Sequence, residues 1–217
     1  MNKIENMYFC QFYINDFDPQ VVGVSQMFSY LEPVCKSIFE LVKNIDSKII
    51  TLWGGTHPTV ETESCVSDNN VDYIIMGEGE APILELIKRL NNNESVQGMP
   101  SLAYVNEFGL PCISNDRLWI DDLDNHVVPD RSKFDLTKYQ KANADYTGKK
   151  TFNMVTSRGC PFACTFCVNN ATLAMYPHQK PIRKRTVDHI INELLWVKEN
   201  LPYIGKIKFD DDAFFLH

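Results

Sequence analysis

Short apolar runs that stop at glycine alternate with helix-patterned segments, and this alternation limits the fold more than any other feature of the chain. Val21-Val22-Gly23-Val24-Ser25 suits a buried parallel strand. From Leu31 to Lys43, Val34, Ile38, Leu41 and Val42 fall at helical spacing. Lys48 to Trp53 reads as a second strand halted by Gly54-Gly55, and Val71 to Met76 as a third halted by Gly77. Ala81 to Leu90 then reads as a helix with Ile83, Leu84, Ile87 and Leu90 inward. Together these imply an α/β fold with a doubly wound parallel sheet. Upstream, Met7 to Ile14 is expected to supply one strand at most.

Ligands of such sheets bind beyond the carboxyl ends of the strands. Two glycine turns stand there, Gly54-Gly55-Thr56-His57-Pro58 and Gly77-Glu78-Gly79-Glu80. Glycine permits positive φ and close backbone approach, but a tight strand-to-helix turn explains either one equally well.

The domain boundaries expected are an α/β domain over 1–95, a linker over 96–150 and a second domain start over 151–217. Within the linker, Gly98 to Tyr104 with Gly109-Leu110-Pro111 suggests a small hairpin. Asp121-Asp122-Leu123-Asp124 reads as a solvated run, leading through Val128-Pro129-Asp130 to Phe134-Asp135-Leu136. Phe152 to Thr156 is the next strand. A helix follows from about Val187 to Asn200, capped by Thr186, with Ile190, Ile191, Leu194, Leu195 and Val197 as its apolar face. Lys206 to Phe209 is another strand, and it delivers Asp210-Asp211-Asp212.

Between these elements lies the run Thr156-Ser157-Arg158-Gly159-Cys160-Pro161-Phe162-Ala163-Cys164-Thr165-Phe166-Cys167. Three thiolates this close together can grip one metal centre. A four-iron cluster held by three cysteines keeps one iron open for a substrate. A structural zinc would need a fourth ligand, for which Cys112 or His178 is the candidate. The remaining cysteines, Cys10, Cys35, Cys65 and Cys112, read as ordinary thiols. Seven cysteines with only three clustered does not suggest a disulfide framework, so a reducing, cytoplasmic setting is expected.

The net charge of −7 argues against binding nucleic acid through phosphate contacts. The one basic run, Lys180-Pro181-Ile182-Arg183-Lys184-Arg185, reads first as a solvated loop. With no long apolar run, no membrane span is expected.

The Cys-x3-Cys-x2-Cys spacing, with an aromatic before the last cysteine, resembles the signature of the radical S-adenosylmethionine (SAM) enzymes. The order of the Gly-Gly-x-His-Pro and Gly-Glu-Gly-Glu turns resembles the cobalamin-binding domain that precedes the radical SAM core in one large subfamily. The resemblance implies a 4Fe-4S cluster on Cys160, Cys164 and Cys167, with SAM on the open iron and Phe166 beside its adenine. It implies that Asp211 or Asp212 faces the ammonium or sulfonium region of SAM. Cobalamin, as a third cofactor, would lie against Gly54, Gly55, His57, Gly77, Glu78 and Gly79, with His57 a turn or pocket residue rather than a cobalt ligand. The Asp-x-His-x-x-Gly motif of members that bind cobalt through histidine does not occur. The reaction implied is reductive cleavage of SAM to a 5′-deoxyadenosyl radical used for methylation, cyclisation or rearrangement. An electron donor of the flavodoxin or ferredoxin type and a small-molecule or peptide substrate are expected.

The second domain resembles the start of a partial (β/α) barrel with about two of six strand–helix units, so the chain reads as truncated. Two other readings compete: a non-catalytic iron–sulfur or cobalamin-binding module, and a zinc-stabilised α/β interaction protein.

Overall fold

The computed structural model describes residues 3–125, 129–131, 148–176 and 179–216, with 3–9 as backbone alone. The expected positions Val128, Phe134, Asp135, Leu136 and His178 lie outside the described residues. The chain divides into two compact units, Met1–Trp119 with Ala174–Tyr176, and Ile120–Leu173 with Pro177–His217.

The first unit is built on a five-stranded sheet in sequential order. Strands β1 (Val21–Ser25), β2 (Ile50–Gly54) and β3 (Tyr73–Ile75) run parallel, and β4 (Leu102–Val105) and β5 (Pro111–Ile113) add antiparallel strands beside β3. The α/β class with parallel strands is as the alternation implied. The expected hairpin is present, but it forms the edge of this sheet instead of standing in a linker. Its turn is closed by Asn106 Oδ1, which accepts from the Phe108 and Leu110 amides at 3.0 and 2.9 Å.

Side chains alternate faces along a strand, and both faces of this sheet are buried. Trp53 and Ile74 point to one face, where they meet Cys35 and Phe39 of α2 (Glu32–Ile45). Cys65 and Val66 of α4 (Thr62–Val66) join them there. Leu52 and Ile75 point to the other face, against Leu86 of α5 (Glu80–Asn91). Burial pushes the Cys65 thiol up to about 12, so it is an inert packing group.

α2 places Cys35, Phe39 and Val42 at i, i+4 and i+7, leaving Val34 exposed. In α5 the buried stripe is Pro82 and Leu86, and the expected inward residues Ile83, Leu84 and Ile87 are exposed. This helix is apolar on both sides, so local periodicity does not choose the stripe; the sheet does.

The segment expected to be a strand is a helix, α1 (Lys3–Phe17). It docks through Ile14 onto Val42 and Ile49 while Phe12, Tyr13 and Phe17 stay exposed. Apolar and polar residues are spread around this helix without a net stripe, which is why the segment resembles a strand in the sequence.

In the second unit β6 (Lys150–Met154) pairs in parallel with β9 (Ile204–Phe209), connected through α7 (Val187–Asn200). Phe152, Met154, Val197 and Leu201 form its core. Of the face expected on α7, Val197 is buried and Ile190 and Leu194 are partly so, whereas Ile191 and Leu195 are exposed. Thr186 caps α7 by accepting from the His189 amide at 3.3 Å. A two-stranded ribbon, β7 (Ser157–Arg158) with β8 (Arg183–Lys184), frames the cysteine loop, and α6 (Val168–Ala174) follows it.

Candidate functional site

At the carboxyl ends of β1, β2 and β3 the backbone forms a rim held together by buried polar groups. After β1, the Gln26 amide donates to the Gly54 carbonyl at 2.8 Å, and the Gln26 carbonyl accepts from the His57 amide at 3.1 Å. The Gln26 side chain, 1% exposed, accepts from Trp53 Nε1 at 3.0 Å and donates to the Phe28 carbonyl at 2.9 Å. Gly55 has φ 98°, and a Cβ there would stand 2.4 Å from the Gln26 carbonyl oxygen. Gly77 has φ 78°, and a Cβ there would meet the Tyr176 hydroxyl. Both glycines are therefore required by approaches within the chain itself. Gly54 is different, since a Cβ there makes only ordinary contact with Ile75.

His57 lies in the first turn of a short helix, α3 (Thr56–Val60), and is 4% exposed. Its Nδ1 lies 3.0 Å from Ser29 Oγ, and its Nε2 lies 3.5 Å from Glu32 Oε2. The ring thus sits inside the rim, beside the loop after β1. Glu78 is half-buried, and Gly79 is the residue preceding α5, its carbonyl accepting from the Ile83 amide at 2.9 Å. One rim residue is not evident from sequence: Thr59, in α3, which bonds to both glycine turns.

The second site is the cysteine loop. It leaves β7 through Gly159, whose φ is 88° and where a Cβ would stand 2.3 Å from the Pro181 carbonyl oxygen. All three cysteines are free thiols; Cys160 and Cys167 are half-buried and Cys164 is exposed. The Cys167 amide donates to the Cys164 carbonyl at 3.0 Å, a turn that leads directly into α6. Three cysteine sulfurs on one loop, none in a disulfide, match the ligand chemistry of an iron–sulfur cluster. Among the described residues, however, no group of three or more His, Cys, Asp or Glu side chains converges closely enough to hold a metal ion. Phe166 is 91% exposed on the same loop.

The two carboxylates expected at the end of β9 have different surroundings. Asp211 accepts from the Thr156 amide at 3.0 Å, the Thr156 hydroxyl at 2.9 Å and the Ser157 hydroxyl at 2.5 Å. It therefore bolts the β6–β7 turn from which the cysteine loop springs. Asp212 is exposed. Asp210 accepts from Asn153 Nδ2 at 2.6 Å and pairs with Lys208 at 2.5 Å.

The basic run is not the solvated loop expected. Arg183 is buried and donates to the Ile120 carbonyl. Arg185 pairs at 2.6 Å with Glu193, itself 2% exposed and also paired with Arg131 at 2.7 Å. Two guanidiniums offset the cost of burying that carboxylate. In the acidic run, Asp124 accepts from the Thr186 amide at 3.0 Å and lies 3.0 Å from His189 Nδ1. The hydrogen bonds from Thr186, aided by His189 and Arg185, hold its carboxyl below the usual range. Cys112, a candidate fourth zinc ligand, lies in β5 of the first unit, where Asn106 Nδ2 donates to its sulfur at 3.6 Å.

Residues 9–87 match the B12 binding domain family. The chain is 30% identical over 205 residues to an uncharacterized methyltransferase of Pyrococcus horikoshii, covering 94% of this chain and 42% of the relative. It is 28% identical over 223 residues to cytidylyl-2-hydroxyethylphosphonate methyltransferase of Streptomyces wedmorensis, covering 92% of this chain and 41% of that enzyme. Its fold matches the radical SAM methyltransferase TsrM of Kitasatospora setae with a TM-score of 0.73 at 16% identity, over 97% of this chain and 40% of that one. Residues 9–87 therefore belong to the B12-binding domain family. The chain spans about two-fifths of the length of these two relatives. The B12-binding match contains the whole rim from β1 through Gly79 and ends before β4 and β5. No helix among the described residues is long and apolar enough to cross a membrane.

Proposed function

We propose that this chain carries the cofactors of a SAM-dependent radical methylation or cyclisation, with cobalamin on the rim of the first unit and a 4Fe-4S cluster on Cys160, Cys164 and Cys167. The observation that carries this reading is the cysteine loop: three free thiols on one turn, rooted at the carboxyl end of parallel β6 and bolted there by Asp211 from the end of β9. Folds of this kind gather reacting groups at the carboxyl ends of their strands. The methyltransferase names of the two relatives support the reaction class.

Each residue then has a stated part. Cys160, Cys164 and Cys167 hold the cluster, which when bound supplies the electron that splits the SAM sulfonium. Phe166, on the face of the loop open to solvent, lies against the adenine. Asp212 is the carboxylate that meets the SAM ammonium, because Asp211 is already committed to Thr156 and Ser157. Gly54, Gly55, His57, Gly77, Glu78 and Gly79 shape the cobalamin rim, with His57 enclosed against Ser29 and Glu32 and so not a cobalt ligand. The substrate is a small molecule or peptide, the electron donor a flavodoxin or ferredoxin, and the setting the cytoplasm.

The test is electron paramagnetic resonance of anaerobically reconstituted, dithionite-reduced protein, with and without SAM, on a sample shown by circular dichroism to be folded. A four-iron signal that changes on adding SAM is expected. A signal indifferent to SAM would make the chain an inert cluster binder, and zinc in place of iron would overturn the reading.

A further inference from the structure

The rim contains a side chain that joins its two glycine turns. Thr59 is 4% exposed and lies on the inner side of α3. Its hydroxyl donates to the Gly55 carbonyl at 2.7 Å and accepts from the Gly77 amide at 2.9 Å. A hydroxyl has one proton and two lone pairs, so donation to one turn leaves it oriented to accept from the other. The first bond is the i to i−4 contact that threonines in helices commonly make. The second spans eighteen residues of sequence and reaches the amide of a glycine held at positive φ. Neither turn can shift without stretching a bond to the other, because the same oxygen is held by both.

We propose that Thr59 is the positioning residue that sets the spacing of the Gly54–Gly55 and Gly77 turns and thereby makes the rim competent to bind a corrinoid. The assignment rests on the cobalamin reading above. Thr59 need not touch the cofactor. It acts through the two backbone turns, and the loss of its hydroxyl leaves the Gly77 amide without that acceptor in a partly buried setting, where an unmade bond is costly.

Two variants of the full chain test this, Thr59→Val, which keeps the shape without the hydroxyl, and Thr59→Ser, which keeps the hydroxyl. Hydrogen exchange at the Gly77 amide, read by NMR, needs no cofactor. It should speed up at least about tenfold in Thr59→Val and return near the parent rate in Thr59→Ser. Hydroxocobalamin binding, followed by its visible spectrum, should weaken at least about tenfold in Thr59→Val, equivalent to about 1.4 kcal/mol, and be restored in Thr59→Ser. Unchanged Gly77 exchange in Thr59→Val overturns the positioning role whatever the cobalamin result. If the parent binds hydroxocobalamin and Thr59→Val binds it equally well, the link to the rim's competence is wrong while the cobalamin reading stands. If the parent does not bind it at all, the cobalamin reading falls and the proposed consequence for Thr59 falls with it. Thermal unfolding of each variant separates these results from a general loss of the fold.

Discussion

An alanine at Gly55 would place its Cβ 2.4, 2.7 and 2.9 Å from the oxygen, nitrogen and carbonyl carbon of Gln26. All three are main-chain atoms, so no side-chain rotation relieves the contact. The backbone there, at φ 98° and ψ −174°, lies in a region that belongs almost wholly to glycine. Forcing another residue into it costs about 1–3 kcal/mol. Overpacking of a tightly held site adds about 1–3 kcal/mol. Gly98→Ala serves as the control without overpacking. Gly98 has φ 73° and no atom within 4 Å of where a methyl would stand, so it bears only a left-handed cost of about 1–2 kcal/mol. The loss of unfolded-chain freedom is shared by both variants. Gly55→Ala should therefore destabilise the first unit by about 4 kcal/mol and Gly98→Ala by about 1 kcal/mol. Urea unfolding read by tryptophan fluorescence measures this, in a Trp196→Phe background that leaves Trp53 and Trp119 of the first unit as reporters. Equal losses in the two variants, within about 0.5 kcal/mol, would refute the argument that Gly55 is required by its approach to Gln26.

Two further outcomes follow from the second unit. Asp211→Ala removes the acceptor shared by the Thr156 amide and two hydroxyls, and should lower the stability of that unit by about 2–3 kcal/mol in a thermal melt. An unchanged melt would mean that Asp211 does not hold the β6–β7 turn. Asp124 has a depressed carboxyl in the folded state, so its contribution is complete above the unfolded value near 4 and is lost as pH falls through the folded one. Asp124→Ala should thus weaken the protein at pH 7 and flatten its loss of stability on acidification; parallel acid-unfolding curves for parent and variant would refute this.

Local sequence shows the strands halted by Gly54 and, two residues past β3, by Gly77, and the Thr186 cap of α7, because each is specified by residues within a few positions of it. Features that depend on distant partners are not legible in this way. The hairpin over 102–113 can be seen, but its place beside β3 depends on pairings such as Ile74 with Ala103. Arg183 and Arg185 look like part of a solvated charge run until Ile120 and Glu193 are brought to them. Thr59 is indistinguishable in sequence from any helix threonine, since only the fold brings the Gly77 amide to its hydroxyl. α1 is hidden for another reason: its apolar and polar residues are spread around it and leave no stripe to read.

The central position of β3 also bears on the order of assembly. β4 and β5 pair across a short turn, with Ala103 opposite Ile113, a separation of ten residues. β3 has no such local partner: Leu52 to Tyr73 spans 21 residues and Ile74 to Ala103 spans 29. Distant pairings bear the larger loop-closure entropy and form late. The pairing of β1 with β2 is as remote, with Val21 opposite Ile50 across 29 residues, so the three parallel strands come together after the β4–β5 hairpin. The Gly77 turn hangs on the end of β3, so the rim is complete only when β1, β2 and β3 have all paired. A cofactor that docks there recognises only the finished domain, and by mass action it draws the folding equilibrium toward that state.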